Sequence, residues 1–221
     1  MAQPIMAPPP AVVRDPGEFA KFRTQMREQP EDVWQPLYDR VNYAAAGASQ
    51  LSFFTVPIGQ SATLIRAGSA ASVTKTRRDT NLEQAGHIPS KAFKIHGFSL
   101  NYIPLQQAVA GTATDDIVDD IQRLAYGGYM EFKILDKTYL YLPLDQIPGS
   151  AYRGSTTGTN NVSAGGFGTG SPRDIYVLGI PLTLDPFQSF SITMYWDGTV
   201  ALTQTFDLRL NVLGYLRRPG Q

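Results

Sequence analysis

From Phe190 the chain alternates between two rows. Phe190, Ile192, Met194 and Trp196 share one parity, while Ser191, Thr193 and Tyr195 take the other. Successive strand side chains point to opposite sides of a sheet, so this pattern predicts a strand over 188–196 with one face in a core. The turn is set by Trp196-Asp197-Gly198. The same period recurs at Leu208, Leu210 and Val212 in 207–216, and the two rows are expected to meet in the interior as neighbouring strands. Further strands are predicted over 51–58, 62–67, 72–80, 92–105, 174–184 and 199–206, with a hairpin over 129–144 turning at Asp136-Lys137. Within 92–105 the apolar residues change parity at Gly97, which predicts a bulge there.

One segment has a different period. In 114–128, Ile117, Ile121 and Leu124 recur at helical spacing, acidic residues crowd the first turns and Gly127 follows as a stop, so a helix is inserted between strands. Residues 149–173 hold seven glycines among Ser, Thr and Asn and read as a long loop. At the start, Pro4, Pro8, Pro9, Pro10 and Pro16 block helix and ladder alike, so 1–16 is predicted to be an extended arm. A short helix is expected over 17–28, ending before Pro30, and a connector through Trp34, Tyr38 and Tyr43 leads to the strands. The division that follows is 1–50 for arm, short helix and connector, and 51–221 for a β-sandwich. About eight strands with frequent turns and no βαβ alternation define an all-β, antiparallel sandwich.

Charge and composition then narrow the function. The 221 residues carry 19 basic and 19 acidic side chains, 17 % are charged, 43 % are hydrophobic and none is cysteine. Electrostatic balance argues against a partner held by net charge, and the lack of thiols excludes disulfides, thiolate zinc sites and Cys nucleophiles. The N-terminal stretch has no basic n-region and no long apolar run, so it does not read as a secretory signal.

Each candidate chemistry has an ordinary structural explanation. Asp115, Asp116, Asp119 and Asp120 have the look of a DDxxD magnesium motif, yet a helix N-terminus favours carboxylates by about 0.3–1 kcal/mol each without a metal. GGFGTG at 165–170 lacks the strand before and helix after that a phosphate cradle needs. His87 and His96 have no two-histidine metal spacing, and no serine sits in a GxSxG elbow. Asn161-Val162-Ser163 is a formal glycosylation sequon. Lys75, Arg77 and Arg78, and again Arg217 and Arg218, read as charges guarding solvated strand edges, without the interleaved aromatics that stack single-stranded bases. No catalytic, cofactor-binding or metal-binding residue is therefore assigned, and the chain is not expected to be an enzyme.

Three stretches resemble the jelly-roll capsid proteins of tailless icosahedral phages and viruses: TNLEQAGHIPSKAFKIHGFSLNYIP (80–104), GGYMEFKILDKTYLYLPLDQIPG (127–149) and the closing FQSFSITMYWDGT…LRLNVLGYLRRPGQ (187–221). The resemblance implies a single jelly roll of two four-stranded sheets, with copies of the chain as partners in trimers or pseudo-hexamers and other capsid proteins beside them. It also implies a virion location after synthesis in the host cytoplasm, no cofactor, and an N-terminal arm that is a candidate for contact with neighbours, nucleic acid or an internal membrane. The alternative is a carbohydrate-binding sandwich using Trp196-Asp197, or Tyr152 with Asn160 and Asn161.

Overall fold

The computed structural model describes residues 31–88, 92–105, 115–147 and 175–218. The arm and short helix predicted over 1–28 and the glycine-rich loop of 149–173 lie outside them. Eleven strands are present among the described residues: β1 (Glu31–Trp34), β2 (Leu37–Tyr43), β3 (Gln50–Phe53), β4 (Ser61–Arg66), β5 (Ser69–Thr74), β6 (Ala92–Pro104), β7 (Gly128–Ile134), β8 (Lys137–Pro143), β9 (Tyr176–Leu184), β10 (Phe190–Trp196) and β11 (Phe206–Arg218). A single described α-helix, α1 (Asp115–Tyr126), lies between β6 and β7.

All pairing is antiparallel. The first sheet runs β1-β11-β6-β9, with β2 also on β11, the second runs β3-β10-β7-β8, and β4 with β5 makes a separate hairpin. The thirteen-residue β11 takes β2 along Phe206–Val212 and β1 along Tyr215–Arg218 on one edge. Pro36 supplies no amide there and breaks the ladder, while the Gln35 amide still reaches the Gly214 carbonyl at 3.1 Å. Pairs β2–β11, β3–β10, β6–β9 and β7–β8 are nested in the sequence, outermost to innermost.

The expected connector is therefore corrected: Glu31–Trp34 and Leu37–Tyr43 are strands of the first sheet, so strands of the sandwich are present before Leu51. Nothing in the local pattern of EDVW or LYDRVNY announces this, because their partner lies at the far end of the chain. The strand expected over 199–206 is also corrected. Only Phe206 belongs to a strand, because Leu202 donates to the Ala45 carbonyl at 2.9 Å and the Thr203 amide to Asp120, which leaves no ladder.

The parity change at Gly97 corresponds to a real bulge. Gly97 faces Leu213 and Ile95 faces Gly214, leaving His96 as the extra residue. A side chain at Gly214 would collide with the Lys94 carbonyl, and one at Gly97 with the Tyr176 carbonyl, so both glycines let backbones close in at the bulge. On the other side of β6, Leu178–Pro181 of β9 lie opposite His96 alone. The β7–β8 hairpin turns at Leu135-Asp136, one residue earlier than expected, with Leu135 at φ 54°.

The core lies between the sheets. Phe93, Ile95, Phe98 and Leu100 of β6 and Leu208, Leu210 and Val212 of β11 are buried from one side. Met130, Phe132 and Ile134 of β7 and Phe190, Ile192, Met194 and Trp196 of β10 are buried from the other. The two rows expected to be neighbours are thus in different sheets and belong to one core across the sandwich. Phe98 and Phe132 bridge the layers with ring centroids 6.0 Å apart. Helix α1 adds Ile117, Ile121 and Leu124 to the same core.

Candidate functional site

Asp119 and Asp120 of helix α1 meet opposite surroundings. Asp119 is exposed, while Asp120 is fully buried and receives the Thr203 amide at 3.0 Å and the Thr203 hydroxyl at 2.6 Å. Asp120 thus anchors the 199–205 loop. Among the described residues no group of three or more metal-binding side chains converges. His87 Nδ1 lies 2.7 Å from the Ala85 carbonyl, and His96 sits at the bulge with its ring 5.3 Å from that of Tyr215, so the two histidines form no common site. GGFGTG, the Asn161 sequon, Tyr152 and Asn160 fall outside the described residues.

Trp196 is an interior residue. It is 5 % exposed, its indole Nε1 donates to the Leu124 carbonyl at 2.9 Å, and its ring meets Tyr43 edge-on at 5.1 Å. The sugar-binding platform expected at Trp196-Asp197 is corrected accordingly: the side chain that would stack on a sugar holds α1 to the second sheet.

The basic residues divide in a way their sequence neighbourhood conceals. Lys75, expected on a solvated edge, is 2 % exposed and pairs with Asp39 at 2.6 Å. That pair lies on the core-facing side of β2, where Asp39 is level with Leu210. A separate buried charged layer lies between the outer face of the first sheet and the β4–β5 hairpin. Arg40 Nε meets Asp207 at 2.6 Å and its Nη2 donates to the Ile65 carbonyl at 3.2 Å. Asp207 accepts from the Ile65 amide at 2.9 Å and from Asn42 at 2.8 Å. Arg66 pairs with Asp79, which also takes the Thr76 amide at 3.0 Å and hydroxyl at 3.1 Å. Arg40 and Arg66 therefore satisfy Asp79 and Asp207 beneath the hairpin, while Lys75 and Asp39 satisfy each other on the opposite face of β2.

Two of these carboxyls are shifted in opposite senses. Burial pushes Asp39 above the usual carboxylate range, outweighing the Lys75 ammonium and the Phe54 amide that pull it down. At Asp79 burial also pushes upward, but the Thr76 amide and the Arg66 guanidinium overcome it and hold the group below that range. Arg40, Arg66, Asp79 and Asp207 latch the hairpin to the sandwich.

Beside the hairpin, the same sheet face is open. Trp34, Tyr215 and Lys94 are aligned across β1, β11 and β6 by register, and Asp32 faces Arg217 one row on. Aromatics do interleave with the basic residues at the C-terminal end, which corrects the expectation for Arg217: the edge-to-face partner of Tyr215 arrives from β1. A cleft of about 460 Å³ adjoins this face, lined by Gln35, Tyr38, Arg77, Asn81, His87 and Leu216. Within it Asn81 is occupied locally, receiving the Tyr38 amide at 3.0 Å and donating to the Pro36 carbonyl at 2.7 Å.

The second sheet presents a different outer face. Tyr129 stacks on Tyr195 at 5.3 Å and neighbours Tyr141 at 6.1 Å, and Lys133 is neutralised by Glu131 at 2.7 Å. No helix among the described residues is long and apolar enough to cross a membrane. No protein-family model and no curated protein sequence matches the chain.

Proposed function

We propose that this chain is a non-enzymatic shell subunit, a single jelly roll that assembles with copies of itself into the capsid of a tailless icosahedral virus. The nested strand order carries the reading. With β1 and β2 taken as one strand interrupted at Pro36 and the β4–β5 hairpin set aside as an addition, eight strands run along the chain. Their antiparallel pairs are first with eighth, second with seventh, third with sixth and fourth with fifth. Those are the pairs of one long ribbon folded back on itself. Rolling the ribbon sets the eighth strand beside the third and the seventh beside the fourth, in keeping with sheets ordered 1-8-3-6 and 2-7-4-5. Double-sheet jelly rolls of this kind serve viral capsids and lectins.

Between those two uses, the interior position of Trp196 weighs against the lectin. Exposed apolar residues favour burial against other subunits: Val177 and Ile180 on the edge strand β9 are 69 % and 80 % exposed, and Tyr129 and Tyr141 cover the second sheet. Negative-stain electron microscopy of the purified full-length protein tests the reading. Closed particles or ordered arrays are expected. Uniform monomers at high concentration, seen in the micrographs and by analytical ultracentrifugation, overturn it.

A further inference from the structure

We propose that the uncovered half of the first sheet's outer face binds a single-stranded polynucleotide, with Trp34 and Tyr215 stacking on bases and Lys94, Arg209 and Arg217 meeting phosphates. Along β11 the outward residues are Asp207, Arg209, Asn211, Leu213, Tyr215 and Arg217, alternating with the buried Leu208, Leu210, Val212 and Leu216. The β4–β5 hairpin covers the Asp207 end of this row. Among the described residues nothing covers the other end.

At the open end Trp34 is 49 % exposed and Tyr215 39 %, with ring centroids 4.9 Å apart and edge to face. Tyr215 is supported from behind by the His96 ring. Aromatic faces held in place by neighbouring rings and left open to solvent accept any base, because every base has a π-face. Register puts Lys94 next to Tyr215 in the same row and Arg217 in the adjacent one, so cations flank the rings on two sides.

The charges of this half are unspent, in contrast to those under the hairpin. Among the described residues no ion pair engages Lys94 or Arg209, and Arg217 has only the exposed Asp32, at 3.9 Å. Arg209 lies over the Tyr38 ring at 4.5 Å, which orients its guanidinium without neutralising it. Three cations against one carboxylate, interleaved with open rings on a sheet face, complement a polyanion that carries exposed bases. The aromatic face of the second sheet lacks this character because Glu131 neutralises Lys133. A duplex offers neither free base faces nor the flexibility to lie along a twisted sheet. The proposal stands on this face alone and does not depend on self-assembly.

Fluorescence anisotropy of a labelled oligo(dT) of about 20 nucleotides, titrated with the full-length protein, tests it. Saturable binding that weakens with added salt is expected, with the matching duplex held at least about tenfold more weakly. Trp34→Ala should weaken binding by about 5- to 100-fold, the value of one stacked base, while Trp34→Phe stays within about threefold of wild type. Replacing Lys94 and Arg217 together by Gln should lower the salt slope by about two. If Trp34→Ala melts lower than wild type, that Gln pair decides the question, and an unchanged slope overturns the proposal. It is equally overturned by no binding, by equal affinity for duplex, by a folded Trp34→Ala that binds as wild type, or by capture of phosphatidylserine vesicles in place of the oligonucleotide.

Discussion

Phe132 and Lys75 are equally hidden from solvent, at 0 % and 2 % exposure, and are held there by opposite physics. Phe132 lies between the sheets, where burial of apolar area is favourable in any orientation and the neighbours need only fill space. Lys75 follows β5 directly and reaches the core-facing side of β2, where its charge is tolerated only because Asp39 stands 2.6 Å away. The first region is forgiving of partner and strict about volume. The second is strict about partner, as is the charged layer on the other face of β2, where Arg40 and Asp207 are 167 residues apart. A buried residue therefore reveals little until its neighbours are known.

That contrast is sharpest in mutation. Trp196→Ala should cost about 3–5 kcal/mol in denaturant unfolding, since it removes a core ring and the hydrogen bond to Leu124 together. Lys75→Met should cost about as much, roughly 3–5 kcal/mol, by leaving Asp39 buried without its cation. The two regions part company in the double variant. Adding Asp39→Asn to Lys75→Met should recover most of the loss, because Asn can still accept the Phe54 amide and no bare charge remains. A double variant no more stable than Lys75→Met would mean that the charged pair behaves like ordinary core.

Asp120→Ala should be milder, about 1–3 kcal/mol, leaving the Thr203 amide without its acceptor. Urea titration with a loop-sensitive fluorescence probe near Thr203 would show local loosening before global unfolding.

The pH response separates the two shifted carboxyls. Asp39 is raised in the folded state, so its linkage contribution is present below the ordinary carboxylate range and is lost as pH rises through the folded value. Asp79 is lowered, so its contribution is present above that range and is lost as pH falls through its folded value. Melting curves from neutral to acid pH should thus show wild type gaining on Asp39→Asn as pH falls, and losing its advantage over Asp79→Asn at the acid end. Parallel curves for both variants would contradict these shifts. The smallest effect is expected for the exposed Asp119→Asn, within about 0.5 kcal/mol by thermal melting.

Much of this architecture was legible in the chain. The strict alternation of Phe190–Trp196, the helical spacing of Ile117, Ile121 and Leu124 and the parity slip at Gly97 each express a local period, and each corresponds to the element expected. These patterns determined an all-β protein with one described helix and identified most of the core, because apolar burial depends on which face a residue occupies. Residues 31–43 have the local character of connector and 199–205 that of strand, but what decides both is a remote hydrogen-bond partner: β11 for the first, Asp120 for the second. Lys75 and Arg217 have the same local character, a basic residue at a strand end. Tertiary structure alone set one against a buried carboxylate and the other beside the open rings of Trp34 and Tyr215, because electrostatic and stacking partners are chosen by how distant strands align, a quantity that no local period encodes.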